Sequence, residues 1–416
     1  MNKLHSNWKE YSFKDFCDIT SSKRIFYREY VKSGIPFYRS KEIIAKSNGK
    51  ELNDCLYISK DRFEEIKNKY GIPINGDILI TAVGTYGIPY LINEDGDFYF
   101  KDGNLIWLKN IKDVANSNFL FYWFKSEEAK NKVEGIIIGS VQKALTIDAM
   151  KNIKINLPPL AEQKRIASIL SALDDKIELN NKTNKILEEM AQTIFKEWFI
   201  NFNFPNEDGK PYKKSGGEMI GSELGKIPKG WKVITLKDII SIAKGKKPKA
   251  TSDKITEKFT MPYLTINCYN NEATEYTEYN EKMHVKELDI VMVMDGNAGK
   301  IFYGKEGILS STMAKLIVED SNLNELVFYF LKSIEYDLMY HTVGSVIQHA
   351  DKQYMLNKKF CVSLDNLERL SDIFKCIRKE ISLNKKENKK LSNIRDSLLP
   401  KLMTPNGRRA DGEIRV

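Results

Sequence analysis

Ile166, Leu170, Leu173, Ile177, Asn180, Asn184, Leu187, Ala191, Ile194 and Trp198 follow one another at alternating spacings of four and three. That is a heptad seam in which two asparagines stand where apolar residues are usual. No Pro or Gly interrupts Ala161–Phe199, and Glu, Lys and Gln fill its outer face, so the spacing predicts one long helix. At ~1.5 Å per residue such a helix spans roughly 50 Å, more than one compact domain covers. The same seam recurs as Leu370, Phe374, Ile377, Ile381, Asn384, Asn388, Leu391, Arg395, Leu398 and Leu402. At a constant offset Asn180 falls on Asn384, Asn184 on Asn388 and Leu187 on Leu391. Packed antiparallel, Asn180 would face Asn388 and Asn184 would face Asn384, amide pairs that fix register at some cost in stability.

The segments before these helices also repeat. Trp8-Lys9-Glu10-Tyr11-Ser12-Phe13-Lys14-Asp15-Phe16 matches Trp231-Lys232-Val233-Ile234-Thr235-Leu236-Lys237-Asp238-Ile239. Short proline-led strands follow at Ile35–Arg39 and Met261–Thr265, then apolar strands ending in glycine loops at Asn75–Gly84 and Glu287–Gly296. Gly84 and Gly87 recur in step as Gly296 and Gly299. Apolar helices at Phe119–Ser126 and Leu326–Ser333 read as core, and glycine turns at Gly139–Lys143 and Gly344–His349 precede each long helix. The pattern predicts an α+β chain with a pseudo-two-fold internal repeat: two mixed α/β globules and two long helices packed as an antiparallel coiled coil. The Gly-, Pro-, Lys- and Ser-rich run up to Gly230 reads as an irregular connector, and the polar stretch after Pro405 as a loosely held end.

A chain of 416 residues with 42% hydrophobic content can build two cores. Its formal charge of +9 favours an acidic partner, nucleic acid first. The five cysteines, Cys17, Cys55, Cys268, Cys361 and Cys376, show no metal spacing and read as reduced thiols of a cytosolic protein. The start of the sequence is polar, with no signal-peptide pattern, and the longest apolar runs are too short to cross a bilayer.

Catalytic patterns fail one by one. Gly296-Asn297-Ala298-Gly299-Lys300 lacks the spacing of a phosphate loop and the Ser or Thr after its lysine. Leu157-Pro158-Pro159-Leu160 lacks the aromatic-flanked Pro-Pro motif of amino-methyltransferases. The Glu-x-Lys triplets at Glu65, Glu128 and Glu162 have no upstream strand carboxylate to hold a metal. No catalytic residue, metal site or cofactor site is expected in this chain. Two similar globules at the ends of a rod suit two separated sites on one rigid partner, and a rod of roughly 50 Å matches about 15 base pairs of duplex DNA.

Candidate DNA contacts sit on loops that recur in both halves. In the first they are Tyr38, Arg39, Lys41, Thr85, Tyr86, Ser140, Gln142 and Lys143; in the second, Thr265, Asn267, Asn270, Asn297, Lys300, Ser345, Gln348 and His349. Arg spans guanine O6 and N7, Asn and Gln span adenine N6 and N7, and Lys, Ser and Thr hold phosphates. Lys244, Lys246, Lys247 and Lys249 form a further basic cluster around Gly245 and Pro248.

Leu157-Pro158-Pro159-Leu160-Ala161-Glu162-Gln163-Lys164-Arg165-Ile166, with Gly139-Ser140-Val141-Gln142-Lys143, Gly76-Asp77-Ile78-Leu79 and Leu398-Leu399-Pro400-Lys401-Leu402-Met403, resembles the specificity subunit of type I restriction-modification systems. The likeness runs over nearly the full length. It implies target recognition domains at 1–158 and 231–366, a central conserved helix at 159–204, a connector at 205–230, a second conserved helix at 367–405 and a tail at 406–416. It further implies a split duplex target, with modification subunits that methylate adenine using S-adenosylmethionine. Restriction subunits would translocate and cleave DNA using ATP and Mg2+. The chain itself would be non-catalytic, cytoplasmic and nucleoid-associated when bound to DNA. The second half departs from the pattern, with Ser363-Leu364-Asp365-Asn366-Leu367-Glu368-Arg369 at its junction, an extra Ile347, and His349 in place of Lys143. The alternative from another class is a scaffold whose rod carries two protein-binding globules; salt-dependent affinity for duplex DNA separates the two.

Overall fold

A computed structural model of the chain describes residues 8–49, 52, 54–93, 96–137, 143–270, 273–344, 348–363 and 367–404. It divides into two compact units, 1–181 with 385–416, and 182–384. Each therefore takes part of both long helices.

The central strand of each unit shows how one sequence pattern feeds two cores. Ile78–Thr81 and Ile290–Val293 are buried at every position, as their apolar runs require, and the Thr81 hydroxyl that ends the first accepts from the Ile88 amide (3.0 Å). Successive side chains point to opposite faces. Ile78 and Ile80 thus join one cluster with Phe13, Phe119 and Trp123, while Leu79 joins another with Tyr90 and Phe100. In the second unit Ile290 and Met292 face one core, Val291 and Val293 the other.

These strands sit in matching four-stranded antiparallel sheets. The first unit orders them Asp18–Thr20, Leu105–Lys109, Ile78–Thr81, Pro89–Leu91. The second orders them Ile240–Lys244, Met313–Val318, Ile290–Val293, Ile301–Tyr303. A second sheet is built on a parallel pair in both units, Ile35–Tyr38 with Tyr99–Phe100 and Met261–Leu264 with Gly307–Leu309. Its fourth strand changes edge: Tyr30–Val31 flanks Leu56–Ile58 in the first unit, and His284–Val285 flanks Gly307–Leu309 in the second. A small third sheet pairs Lys9–Ser12 with Lys154–Leu157, and Lys232–Thr235 with Lys359–Val362.

The central helix runs Leu160–Phe195 and passes into a π-helical turn, Lys196–Ile200; the other long helix runs Leu367–Met403. In the first unit Asn180 donates to Asn388 Oδ1 (2.8 Å) and to Glu387 (2.7 Å), and Asn388 donates to Asn181 (2.9 Å). Arg395 meets Asp174 at 2.6 Å, so residue numbers rise on one helix as they fall on the other and the packing is antiparallel. In the second unit Asn384 donates to Asn184 Oδ1 (2.9 Å). Ile166 and Leu170 are buried in the first core beside Leu402, with Leu398 packed against it; Leu173, Ile177 and Leu391 are half-buried. Ile377 and Ile381 are buried in the second core, against which Leu187, Ile194 and Trp198 are partly buried. Past Ala191 the fully buried residues are Phe195 and Phe199, at spacings of four. A 3.6-residue turn drifts off a strict heptad, which leaves Ile194 and Trp198 at the flank.

Polar clamps fix each helix to its own globule. Asp174 accepts from the Tyr122 hydroxyl (2.9 Å) as well as from Arg395. In the second unit the guanidinium of Arg378 lies 3.7 Å over the ring of Tyr303, whose hydroxyl donates to buried Glu325. The junction ahead of the central helix turns on Gln163, which has no exposed surface. It accepts from the Asn116 amide (2.9 Å) and donates to the carbonyls of Val114 (2.9 Å) and Pro158 (2.8 Å). Buried Leu367 marks the corresponding start of the second long helix, so an apolar contact stands in for the amide clamp.

The stretch expected to be an irregular connector is ordered. Met219–Ser222 pairs antiparallel with Gly225–Pro228, Ile227 is buried in the second core, and Phe204 stacks between Tyr212 and Trp231. Its Gly, Lys and Ser content hides a hairpin anchored by buried Ile227 and Pro228. Because Gln163 satisfies three backbone groups at once, Gln163→Leu is expected to cost about 2–4 kcal/mol of stability, read by chemical denaturation of the full chain. A loss below about 0.5 kcal/mol would show that the junction does not depend on this amide.

Candidate nucleic-acid interface

Each unit brings two of the nominated loops together. In the first, the glycine loop after Ile78–Thr81 lies beside the chain beyond Lys143: Val83 bridges Ala144, and the Leu145 amide donates to Ala82 O at 2.8 Å. In the second, Asp295 bridges His349, the Ala350 amide donates to Met294 O (2.8 Å) and the Gly296 amide to Gln348 O (3.1 Å). Both loops close alike, by Gly87 N to Thr81 O (2.8 Å) and Gly299 N to Val293 O (2.9 Å). Gly84 at φ 76° and Gly296 at φ 87° take the left-handed conformation that lets the strand end turn back at once.

The first unit's rim carries exposed Thr85 and Lys143 with half-buried Tyr86. Tyr86, Glu134, Ile137 and Lys143 line an open cleft there. The second unit's rim carries exposed Asn297, Gln348 and His349 with half-buried Lys300. Asp295 orders this rim: one carboxylate oxygen lies 2.7 Å from His349 Nδ1, the other 3.5 Å from Lys244 Nζ. Lys244 leads into the exposed Lys246, Lys247 and Lys249. Gly245 is what allows that turn, since a Cβ there would lie 2.1 Å from Ser310 O.

Other nominated residues fall elsewhere. Tyr38 is buried, its ring stacked on Phe98 at 4.8 Å, so it packs the second sheet and offers no face to a base. Arg39 pairs with Glu42, donating through Nη2 at 2.7 Å and Nε at 3.2 Å, so that edge of its guanidinium is already engaged within the protein. Lys41 is largely exposed, its Nζ 3.4 Å from the same carboxylate. Thr265 is half-buried beside Cys268, and exposed Asn267 opens the short helix Asn267–Asn270. Ser140, Gln142 and Ser345 lie outside the described residues, as does the side chain of Asn270.

Glu42 explains the Arg39 result. It is almost fully buried, and burial pushes its pKa up; hydrogen bonds from the Arg39 side chain and backbone outweigh this and hold it below the usual carboxylate range. One set of surface residues escaped sequence reasoning. Phe26, Tyr27 and Arg28 are all exposed, between Lys23, Arg24 and Lys32. The signal was there, aromatics interleaved with cations in a link between two strands.

Two copies of one globule, each offering a polar, partly basic rim, define a repeated ligand-reading module. The model of the type I restriction modification DNA specificity domain matches the chain twice, over residues 5–189 and 228–393. The chain belongs to this family. It is 25% identical to the type I restriction enzyme MjaIX specificity subunit of Methanocaldococcus jannaschii, covering 100% of this chain and 95% of that one. It is 23% identical to the HindI specificity subunit of Haemophilus influenzae, covering 96% and 99%. A putative type I specificity subunit of the same bacterium, S.HindORF215P, is 33% identical over 45% of this chain and 47% of its own length. The crystal structure of the S subunit of a type I restriction-modification system from M. genitalium superposes with a TM-score of 0.58 at 17% identity, covering 97% and 98%, which shows the shared fold. Among the described residues no helix is long and apolar enough to cross a membrane.

Removing the Arg39 side chain leaves the buried Glu42 carboxylate with the Arg39 backbone amide (2.8 Å) and Lys41 as its partners among the described residues. Arg39→Ala is therefore expected to cost about 2–4 kcal/mol at neutral pH. Because Glu42 sits below its ordinary value of 4.5 in the intact fold, the stability it supplies is present above that pH and lost as pH falls through the lowered pKa. The gap between wild type and Arg39→Ala should narrow below about pH 4.5 in thermal melts; a gap that widens there would refute the pairing.

Proposed function

We propose that this chain reads a two-part duplex DNA target, one block per unit, and carries no catalysis of its own. Methylation of adenine would fall to modification subunits using S-adenosylmethionine, and cleavage to restriction subunits using ATP and Mg2+, in the cytoplasm and on the nucleoid. One observation carries this reading. In both units the glycine loop meets the same stretch of chain, Ala144–Leu145 or His349–Ala350, while the side chains beside it differ, Thr85, Tyr86 and Lys143 against Asn297, Lys300, Gln348 and His349. A shared frame with unlike polar rims is what two independent reading heads need.

Co-expression with the modification partner and mapping of methylated adenines tests it. The expected outcome is a motif of two short words with a constant gap; one uninterrupted word would overturn the reading. Gln348→Ala and Asn297→Ala should relax the second word alone and cost about 1–3 kcal/mol of cognate binding. Lys143→Ala should weaken binding to every sequence about equally and reduce the salt slope by about one. Equal relaxation of both words by Gln348→Ala would count against separate reading heads.

A further inference from the structure

In each unit the chain crosses from the outer strand of the first sheet to the second sheet by a segment with an exposed apolar tip. In the first unit this crossing follows Asp18–Thr20 and leads to Ile35–Tyr38; Phe26 is 53% and Tyr27 89% exposed at its tip. In the second it follows Ile240–Lys244 and leads to Met261–Leu264; Ile255 is 66% exposed.

The aromatic tip is not slack. Ile25 is buried beneath it, and the Lys23 amide donates to the Tyr99 hydroxyl at 2.7 Å. Arg24 pairs with Asp102 (2.9 Å), while the Phe26 amide donates to Glu29 (2.7 Å), which Arg62 holds in turn (2.9 Å). Arg28 lies over the Phe26 ring at 5.7 Å. The second tip is also tied down: the Ser252 amide and carbonyl both bond Tyr276 (2.9 and 2.8 Å), and the Phe259 amide donates to Thr256 Oγ1 (3.0 Å). Apolar surface held rigidly in water is costly unless something covers it.

Charge identifies the cover. Lys23, Arg24, Arg28 and Lys32 are exposed around the first tip; of the two acids that hold it, Glu29 is taken by Arg62 and Asp102 by Arg24. Around the second, Lys246, Lys247, Lys249, Lys254 and Lys258, the last paired with Glu278 (3.0 Å), outnumber Asp253, Glu257 and Glu278. An anionic surface with flat apolar faces between its charges is duplex DNA, whose base steps accept inserted apolar side chains and whose phosphates accept the cations. We infer that the two crossings are DNA-contact elements, with Phe26–Tyr27 and Ile255 entering a groove against a base step of the block read by their own unit. This rests on the two-block reading above. It adds a contact that deforms the duplex, so each unit selects steps that unstack easily as well as base edges.

The test uses the full chain with its modification partner and cognate duplexes carrying 2-aminopurine at successive positions of either block. Wild type should brighten the probe at one step of each block. F26A/Y27A should abolish the first-block signal, weaken binding about tenfold or more, and leave the second-block signal and the second word of the methylation motif intact; Ile255→Ala should abolish the second-block signal and leave the first word intact. Tyr27→Ser alone, at a side chain almost wholly in solvent, gives the same readout should the double variant fold poorly. Wild-type affinity and probe signal in these variants would overturn the inference while a two-word motif kept the functional reading standing. Unchanged DNA affinity with lost binding of the modification subunit would also overturn it, by showing that protein covers the tip. A wild-type chain that neither binds duplex DNA nor directs methylation would bring down both.

Discussion

Buried amides cannot slide. Asn180 with Asn388, and Asn384 with Asn184, hold their hydrogen bonds only where the facing helices align in one register. Leucines in their place would pack well at several offsets. An amide taken from its partner and set against aliphatic carbon costs about 1–3 kcal/mol, which outweighs the small differences between alternative apolar packings. The clamps at Asp174 and Arg378 then tie each helix segment to its own globule, so the register is passed outward to the sheets and to the loops that follow them.

Duplication has kept what holds the loops and altered what they present. The antiparallel sheet around Ile78–Thr81 and Ile290–Val293 has the same strand order in both units, and the loop closures at Gly87 and Gly299 match. Divergence is concentrated farther out. The fourth strand of the second sheet sits on opposite edges, Gln163 gives way to Leu367, and the rim exchanges Lys143 for His349 held by Asp295. The central strand itself changes from Ile78-Leu79-Ile80-Thr81 to Ile290-Val291-Met292-Val293, yet stays buried at every position, so its substitutions keep to what a core covered on both faces accepts.

The helices, the repeat and the glycine loops were legible because they rest on periodicity and recurrence, which survive without knowledge of neighbours. The family resemblance lay in the same places, and Gln163 shows why its junction motif holds an amide: three backbone groups need it. What was illegible depended on a single partner. Arg39 looked like a base reader because its type suits guanine, yet Glu42 three positions on already engages one edge of its guanidinium. Tyr38 reads as polar next to Arg39, but its strand is covered on both faces there, Phe37 in one cluster and Tyr38 in another, so its ring is buried. The hairpin at Met219–Pro228 buries just Ile227 and Pro228, adjacent and at one end, too little for a periodic signal. Phe26 and Tyr27 were passed over because exposed aromatics among charges look like an ordinary strand approach.

The first unit needs Leu398, Leu402 and Met403 to complete the core that begins at Phe13. While the protein is being synthesised, the stripe at Ile166 and Leu170 must wait for residues more than half the chain away. At ~5–20 residues per second that delay is roughly 10–40 s, far longer than collapse or hairpin formation takes. The nascent chain thus carries an open apolar edge through most of its translation. Losses in yield, rather than in the stability of the finished molecule, are where changes to the helix at Leu367–Met403 should first be felt.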